Sequence, residues 1–340
     1  MSTAPSLTPP ITPDVFALDG EAEVQRIGQH MVASLRRFNK RGVVLGMSGG
    51  VDSSVCAALA VRALGADKVL GLLMPEKDSS LSSEDKGREV AEQLGVEAML
   101  EPIGATVEAI GCYRWRDEAM RSVFPAYGPD WKSKIAIAQA GEPGAAPAQG
   151  RISYFKLIVQ SPDGQMHEAR LPLKAYLQIV AATNHKQRIR KTVEYFHADR
   201  LNRAVIGTPN RLEYDQGFFV KNGDGAADIK PIAHLYKTQV YLLARHLGLP
   251  ESVCSAPPTT DTYSLPQGQD EFYFSLPHQQ MDLALWAHNQ GRPAHELAQA
   301  LGITEAHAQA VYQDIEAKRR ATAYLHARPA LVDAVLEARA

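Results

Sequence analysis

Cysteine is scarce in this chain of 340 residues: Cys56, Cys112 and Cys254 are far apart, odd in number and without a CxxC pair. That pattern points to neither a disulfide framework nor a zinc ribbon. An excess of one charge is also missing, with 36 basic against 38 acidic residues and a formal net charge of −2. A generally basic surface is therefore not expected, and nucleic acid is an unlikely partner. Long apolar runs are absent as well. No stretch reaches the roughly 18 residues of a membrane span, and the opening MSTAPSLTPPITPDV lacks a basic start followed by an apolar core. The expectation is a cytoplasmic protein with no membrane contact. What is present, 45% hydrophobic and 22% charged residues, suits an enzyme with one large or two modest cores.

The most informative segment is Met47-Ser48-Gly49-Gly50-Val51-Asp52-Ser53-Ser54, directly after the apolar Gly42 to Gly46. Val43 to Met47 reads as a buried strand, and Ser53 to Leu64 carries apolar residues at helical spacing. A glycine-rich loop between a strand and a helix start is a phosphate site, because backbone amides and the helix dipole both favour an anion there. No lysine follows the glycines, so this is not the GxxxxGK[ST] loop. Asp52 stands instead, and a carboxylate beside phosphates is most simply a Mg²⁺ ligand. A glycine-rich turn with Asp52 as a helix cap is the plainer alternative.

Along the chain, residues 1–20 read as a mobile N-terminal segment, and Glu21 to Phe38 as an amphipathic helix. Lys68 to Met74 and Val96 to Leu100 read as further strands, with a helix over Ser83 to Leu94 closed by Gly95. This alternation predicts an α/β fold with a doubly wound parallel sheet and ligands beyond its C-terminal strand ends. Met74 to Ser80 leaves the same edge, where it is either part of a nucleotide site or an ordinary surface loop. Residues 141–173 form a linker, Gly141 to Gly150, followed by a β-hairpin around Ser161-Pro162-Asp163-Gly164 that looks inserted. The expected organisation is a core over 21–275 interrupted by that insertion, then a helical C-terminal extension over 276–340.

NHKQRIRKTVEYF from Asn184 reads as a helix with Lys186 and Arg190 on one face and Arg188 elsewhere, either an anion-binding or a solvated face. The strand RAVIG then opens into Thr208-Pro209-Asn210-Arg211-Leu212-Glu213. Phe219-Val220-Lys221-Asn222-Gly223-Asp224-Gly225-Ala226-Ala227-Asp228, Pro231-Ile232, and Leu235-Tyr236-Lys237-Thr238 follow.

The first loop resembles the SGGxDS loop of the ATP pyrophosphatase superfamily, with its adenine nucleotide alpha-hydrolase-like fold. The ordered set from residue 40 to 290 resembles the NAD synthetase family. The resemblance implies that ATP adenylates the nicotinate carboxylate of deamido-NAD, releasing pyrophosphate, and that ammonia displaces AMP. It implies ATP contacts at Gly46, Ser48, Gly49, Gly50, Val51, Asp52, Ser53, Thr208, Lys237 and Thr259. Mg²⁺ would lie between Asp52 and Glu213, with Asp52 and Lys237 as catalytic residues. Arg188, Lys221 and Asp228 match deamido-NAD positions, and a homodimer is implied.

Two departures bear on the acceptor. Pro258-Thr259-Thr260-Asp261 is followed by Gly268-Gln269-Asp270-Glu271, where the family has a Thr before its acidic pair, and the hairpin interrupts the usual spacing. A relative that amidates a different carboxylate is the alternative these departures leave open. About 40 residues without a cysteine precede the loop, so free ammonia, or ammonia from a separate glutaminase, is the expected nitrogen source. Ala294 to Arg320 resembles a helix-turn-helix, which would suit a nucleotide-sensing DNA-binding regulator. Lys318 and Arg319 lie near a basic pair of the family tail, though Ala317 replaces its preferred His.

Overall fold

The computed structural model describes residues 9–139, 153–259 and 262–333. Helix α1 (Gly20–Phe38) starts where the Asp19 side chain accepts from Ala22 N and stops at Asn39 in the left-handed region. Its Val24, Ile27, Met31 and Leu35 recur at helical spacing and are buried. Strand β1 (Val43–Gly46) leads into α2 (Val51–Leu64), β2 (Val69–Leu73) into α3 (Leu81–Leu94), and β3 (Glu97–Leu100) into α4 (Gly104–Ala109) and α5 (Cys112–Arg121).

After α5 the chain forms β4 (Lys132–Gln139), β5 (Ser153–Gln160) and β6 (Met166–Arg170), an antiparallel sheet in the order β4-β5-β6. The hairpin expected around Ser161 to Gly164 is β5–β6, and β4 adds a strand that sequence reading did not identify. The Gly141 to Gly150 linker lies outside the described residues. Helix α6 (Leu173–Leu201) then runs 29 residues, beginning well before Asn184. It feeds β7 (Ala204–Val205), which pairs in parallel with β1.

The parallel sheet has the order β3-β2-β1-β7. The chain moves outward from β1 to β3 and then returns to the other side of β1, so the switch in direction falls between β1 and β7. A crevice opens there beyond the strand ends. Val43, Leu45, Val69 and Leu73 face one layer with α1, α2 and α8 (Lys237–His246), followed by α9 (Glu251–Cys254). Val44, Leu70, Leu72 and Val205 face the other layer, with Ile103, Cys112, Tyr113 and Ala198. Burial on both faces explains why these strands read as continuous apolar runs.

The remaining helices are α7 (Arg211–Gln216), α10 (Gln269–Phe272), α11 (His278–Asn289), α12 (Ala294–Leu301) and α13 (Glu305–His326). Their core joins Met281, Leu285, Leu297, Val311 and Ile315. Ile11 and Phe16 insert into the same core, with Phe16 1% exposed. Within the N-terminal segment, Ile11 and Phe16 are thus anchored against the C-terminal helices. The two helices expected to resemble a helix-turn-helix are α12 and α13. Lys318 and Arg319, well inside α13, are neutralised internally: Lys318 Nζ donates to Tyr273 O and Asp314, and Arg319 to Asp215, Glu316 and Asn289. That arrangement leaves no free basic recognition face at Lys318 and Arg319, contrary to the regulator reading.

Candidate active site

The crevice is a cavity of about 1730 Å³ running from the β1 loop past β7, α6 and α8 to the antiparallel sheet and α13. A ligand pocket of a few hundred to about 1,000 Å³ holds one small molecule, so this space suits two substrates at once.

At one end lies the loop after β1. Gly49 has φ +73°, in the left-handed region, and a methyl group on it would lie 2.5 Å from Ser83 O. Glycine is required there by both conformation and close approach. Gly50 caps α2, and the serines wind the loop on itself: Gly50 O accepts from Ser53 Oγ at 3.1 Å and Ser54 Oγ at 2.9 Å. The first turn of α2 is aimed at the cavity with its amides available for an anion.

Asp52 occupies that first turn and collects partners from two distant segments. Lys237, at the start of α8, forms an ion pair with Asp52 Oδ2, and Asn210 Nδ2 donates to Asp52 Oδ1 at 3.1 Å. Asn210 also caps α7 with a reciprocal capping box, its own N donating to Glu213 Oε2 at 3.1 Å. Glu213 Oε1 accepts from Gln269 Nε2 at 3.0 Å. Burial, and then the negative charge of Asp52, push Glu213 up to about 7. Burial works against the Lys237 ammonium, but Asp52 and Glu213 outweigh it and hold Lys237 well above its ordinary value.

Two adjacent carboxylates sharing one lysine are short of positive charge, which fits a divalent cation completed by phosphate oxygens. Among the described residues no three His, Cys, Asp or Glu side chains cluster as a full protein-only metal site. One or two carboxylates plus substrate phosphates is the usual protein contribution to Mg²⁺.

Every ATP position expected from the sequence lines the cavity: Gly46, Ser48, Gly49, Gly50, Val51, Asp52 and Ser53, then Thr208, Lys237 and Thr259. Glu213, Arg188 and Lys221 line it too. Arg188 Nε donates to Lys221 O, and Lys221 Nζ to Tyr324 O at 2.7 Å, tying α13 to the wall. Asp228 is the exception. It is exposed and does not line the cavity; its Oδ2 accepts from Val205 N at 2.7 Å, fixing the end of β7. Asp224, four residues earlier, lines the cavity instead. Thr260 and Asp261 lie outside the described residues.

Several contributors escaped sequence reasoning. Asp282 on α11 is fully buried and accepts from Lys237 N, Thr238 N and Thr238 Oγ, so it caps α8 and sets Lys237 in place. Met74 to Ser80 is no ordinary surface loop: Asp78 is paired to both Arg116 and Lys186, and Glu76 to Lys186 at 3.0 Å, all buried. Lys186 thus serves this ionic joint rather than a free ligand. Burial works against the Asp78 carboxylate, but Lys186 and Arg116 outweigh it and hold it below its ordinary value. On the far wall Phe155 of β5 stacks on Tyr176 of α6, centroids 4.1 Å apart.

A nucleotide-binding α/β protein is the class that this sheet, switch-point crevice and glycine loop define. The model of the NAD synthase family matches residues 23–122 and 152–322. The chain is 57% identical over 324 residues, 95% of each chain, to an NH(3)-dependent NAD(+) synthetase of Rhizobium meliloti. It is 56% identical to one of Mesorhizobium japonicum, over 93% of this chain and 98% of that one. Among solved structures it resembles an NMN synthetase from Francisella tularensis in fold, with a TM-score of 0.63 at 21% identity over 93% of this chain and 99% of that one. The chain belongs to the NAD synthase family.

Proposed function

We propose that this enzyme makes NAD from deamido-NAD, ATP and ammonia; its relatives at 57% and 56% identity are named NH(3)-dependent NAD(+) synthetases. The observation that carries the chemistry is the meeting of the β1 loop, Lys237 and Glu213 around Asp52. ATP phosphates would lie against the loop amides from Gly46 to Ser53, with Thr208 and Thr259 beside them. The nicotinate carboxylate and the α-phosphate are both negative, so their approach needs positive charge fixed in advance. Lys237 supplies it from a rigid helix start anchored by Asp282, and Asp52 and Glu213 would hold Mg²⁺. When bound, the ion offsets charge on the transferring phosphates and on the leaving pyrophosphate.

A carboxylate oxygen attacks the α-phosphorus and pyrophosphate leaves, giving an acyl-adenylate. Ammonia then adds to the acyl carbon, AMP leaves with the C–O electron pair, and the nitrogen gives up a proton. Arg188 and Lys221 are the cations for the dinucleotide. The remaining elements of this reading are free ammonia or a separate glutaminase as nitrogen source, a homodimer, and a cytoplasmic setting. A core over 21–275 and an extension over 276–340 complete it. No described helix is long and apolar enough to cross a membrane.

The test is an assay with ATP, Mg²⁺, ammonium and deamido-NAD that follows NAD and AMP together. Equal yields, lost in Asp52→Ala, are expected. ATP binding without NAD formation would overturn the choice of acceptor.

A further inference from the structure

The antiparallel sheet ends at β4, and a strand edge offers a row of backbone donors and acceptors to any segment laid along it. Here another part of the same chain takes it. Leu265 N donates to Ser133 O at 3.1 Å, and Ser133 N donates to Ser264 Oγ at 2.9 Å. Two residues further along, Gln267 Nε2 donates to Ile135 O at 2.5 Å, and Gln267 is 2% exposed. Lys134 closes the contact from the side, its Nζ bonded to Pro266 O and to Glu271 Oε2. Tyr263 and Phe272 add apolar contact with the core under the sheet.

The docked segment is not a passive surface loop. Gly268 bridges Thr259, and Gln269, two residues beyond Gln267, donates to the Glu213 carboxylate. At the other end Thr262 O accepts from Lys186 Nζ, the buried cation that also holds Asp78. The segment therefore joins the antiparallel sheet to the carboxylate pair at the far end of the cavity.

We propose that the antiparallel sheet is a positioning device for the ATP·Mg²⁺ end of the site: β4 fixes residues 263–271, with Gln267 and Lys134 as positioning residues that act through Gln269 on Glu213. The proposal uses the site assignment made above. Holding Gln269 in place before ATP arrives removes an ordering cost that a free segment would carry at each binding event. It also gives the antiparallel sheet a role that does not depend on which carboxylate is amidated.

The experiment measures ATP·Mg²⁺ binding by calorimetry, with steady-state constants, for wild type, Gln267→Met, Lys134→Met, Lys134→Arg, Gln269→Leu and the Gln267→Met/Gln269→Leu pair. Loss of the Gln267 bond is expected to weaken ATP·Mg²⁺ binding about tenfold, the factor equivalent to about 1.4 kcal/mol. KM for ATP should rise in step while KM for ammonium stays put. Lys134→Arg should retain wild-type values and Lys134→Met should not. The double variant should be no worse than Gln269→Leu alone, since both act on one contact. Unchanged ATP·Mg²⁺ binding in folded Gln267→Met, or additive losses in the pair, would overturn the proposal. If Gln267→Met does not fold, the two Lys134 variants decide the matter. ATP binding is read separately from product, so a wild type that binds ATP·Mg²⁺ without forming NAD would sink the amidation reading and leave this one standing.

Discussion

The two sheets border one cavity and contribute to it by opposite means. The central strands β1 and β2 of the parallel sheet are buried on both faces; their apolar side chains pack inward, and only the loops at the strand ends carry polar groups to the ligand. Thr208 and the glycines stand on such loops, and Asp52 stands in the first helical turn after one of them. The antiparallel sheet offers one face, from which Ile137 and its cross-strand partner Phe155 reach the cavity wall, and one edge that holds residues 264–267. Chemistry is placed by topology in the first case and by an extra strand edge in the second. Changes near the first should therefore strike the reaction itself, and changes near the second its preorganisation.

The largest effect is expected from Lys237→Met. Removing the fixed cation should lower kcat/KM for NAD formation by about 10²–10³-fold, while the circular dichroism spectrum stays that of wild type. A loss equal to that of the strand-edge variants would erase the distinction between the two regions. Lys186→Met breaks the joint between them. It leaves Glu76 and Asp78 with one fewer buried cation, an effect of about 3–5 kcal/mol, visible as a lower denaturation midpoint; an unchanged midpoint would mean the joint is dispensable. Gly49→Ala should cost about 1–3 kcal/mol through its positive φ and contact with Ser83 O, and should weaken ATP binding with little change at the antiparallel sheet. Tighter binding would contradict the close-approach argument.

The smallest effect concerns pH. Burial raises Asp282 to about 7 from an ordinary value near 4, against the hydrogen bonds from Thr238 and Lys237 that favour the charged form. An acid whose folded pKa is raised binds its proton more tightly when native, so stability falls as pH rises from about 4 to about 7. Asp282→Asn removes that contribution. The melting temperature of wild type relative to the variant should decline across this window and level off above it; a flat difference would refute the assignment.

The sequence made the first region readable and left much of the second obscure, for physical reasons. SGGVDSS, the short apolar strands and the helices around them are local patterns, and the glycine loop stands where those patterns place it. The order of motifs likewise brings Asp52, Glu213 and Lys237 together although up to 185 residues separate them. By contrast β4 pairs with β5 across the 140–152 stretch, a partner that lies beyond any local pattern in its KSKIAIAQ. The Asp78–Lys186 pair spans 108 residues, and the capping of α8 by Asp282 spans 44. No local periodicity encodes such partners. The start of α6 is not legible in the sequence because LPLKAYLQIV is apolar enough to suit either strand or helix. Phe16 shows that a Pro- and Thr-rich N-terminus can still be anchored by one aromatic side chain.

The central claim is that a substrate carboxylate is adenylated at the loop around Asp52. Single-turnover reaction of deamido-NAD labelled with ¹⁸O in its carboxylate, followed by mass spectrometry of the released AMP, tests it directly. Transfer of one labelled oxygen into the AMP phosphate is the predicted result. Unlabelled AMP formed alongside NAD would contradict the account.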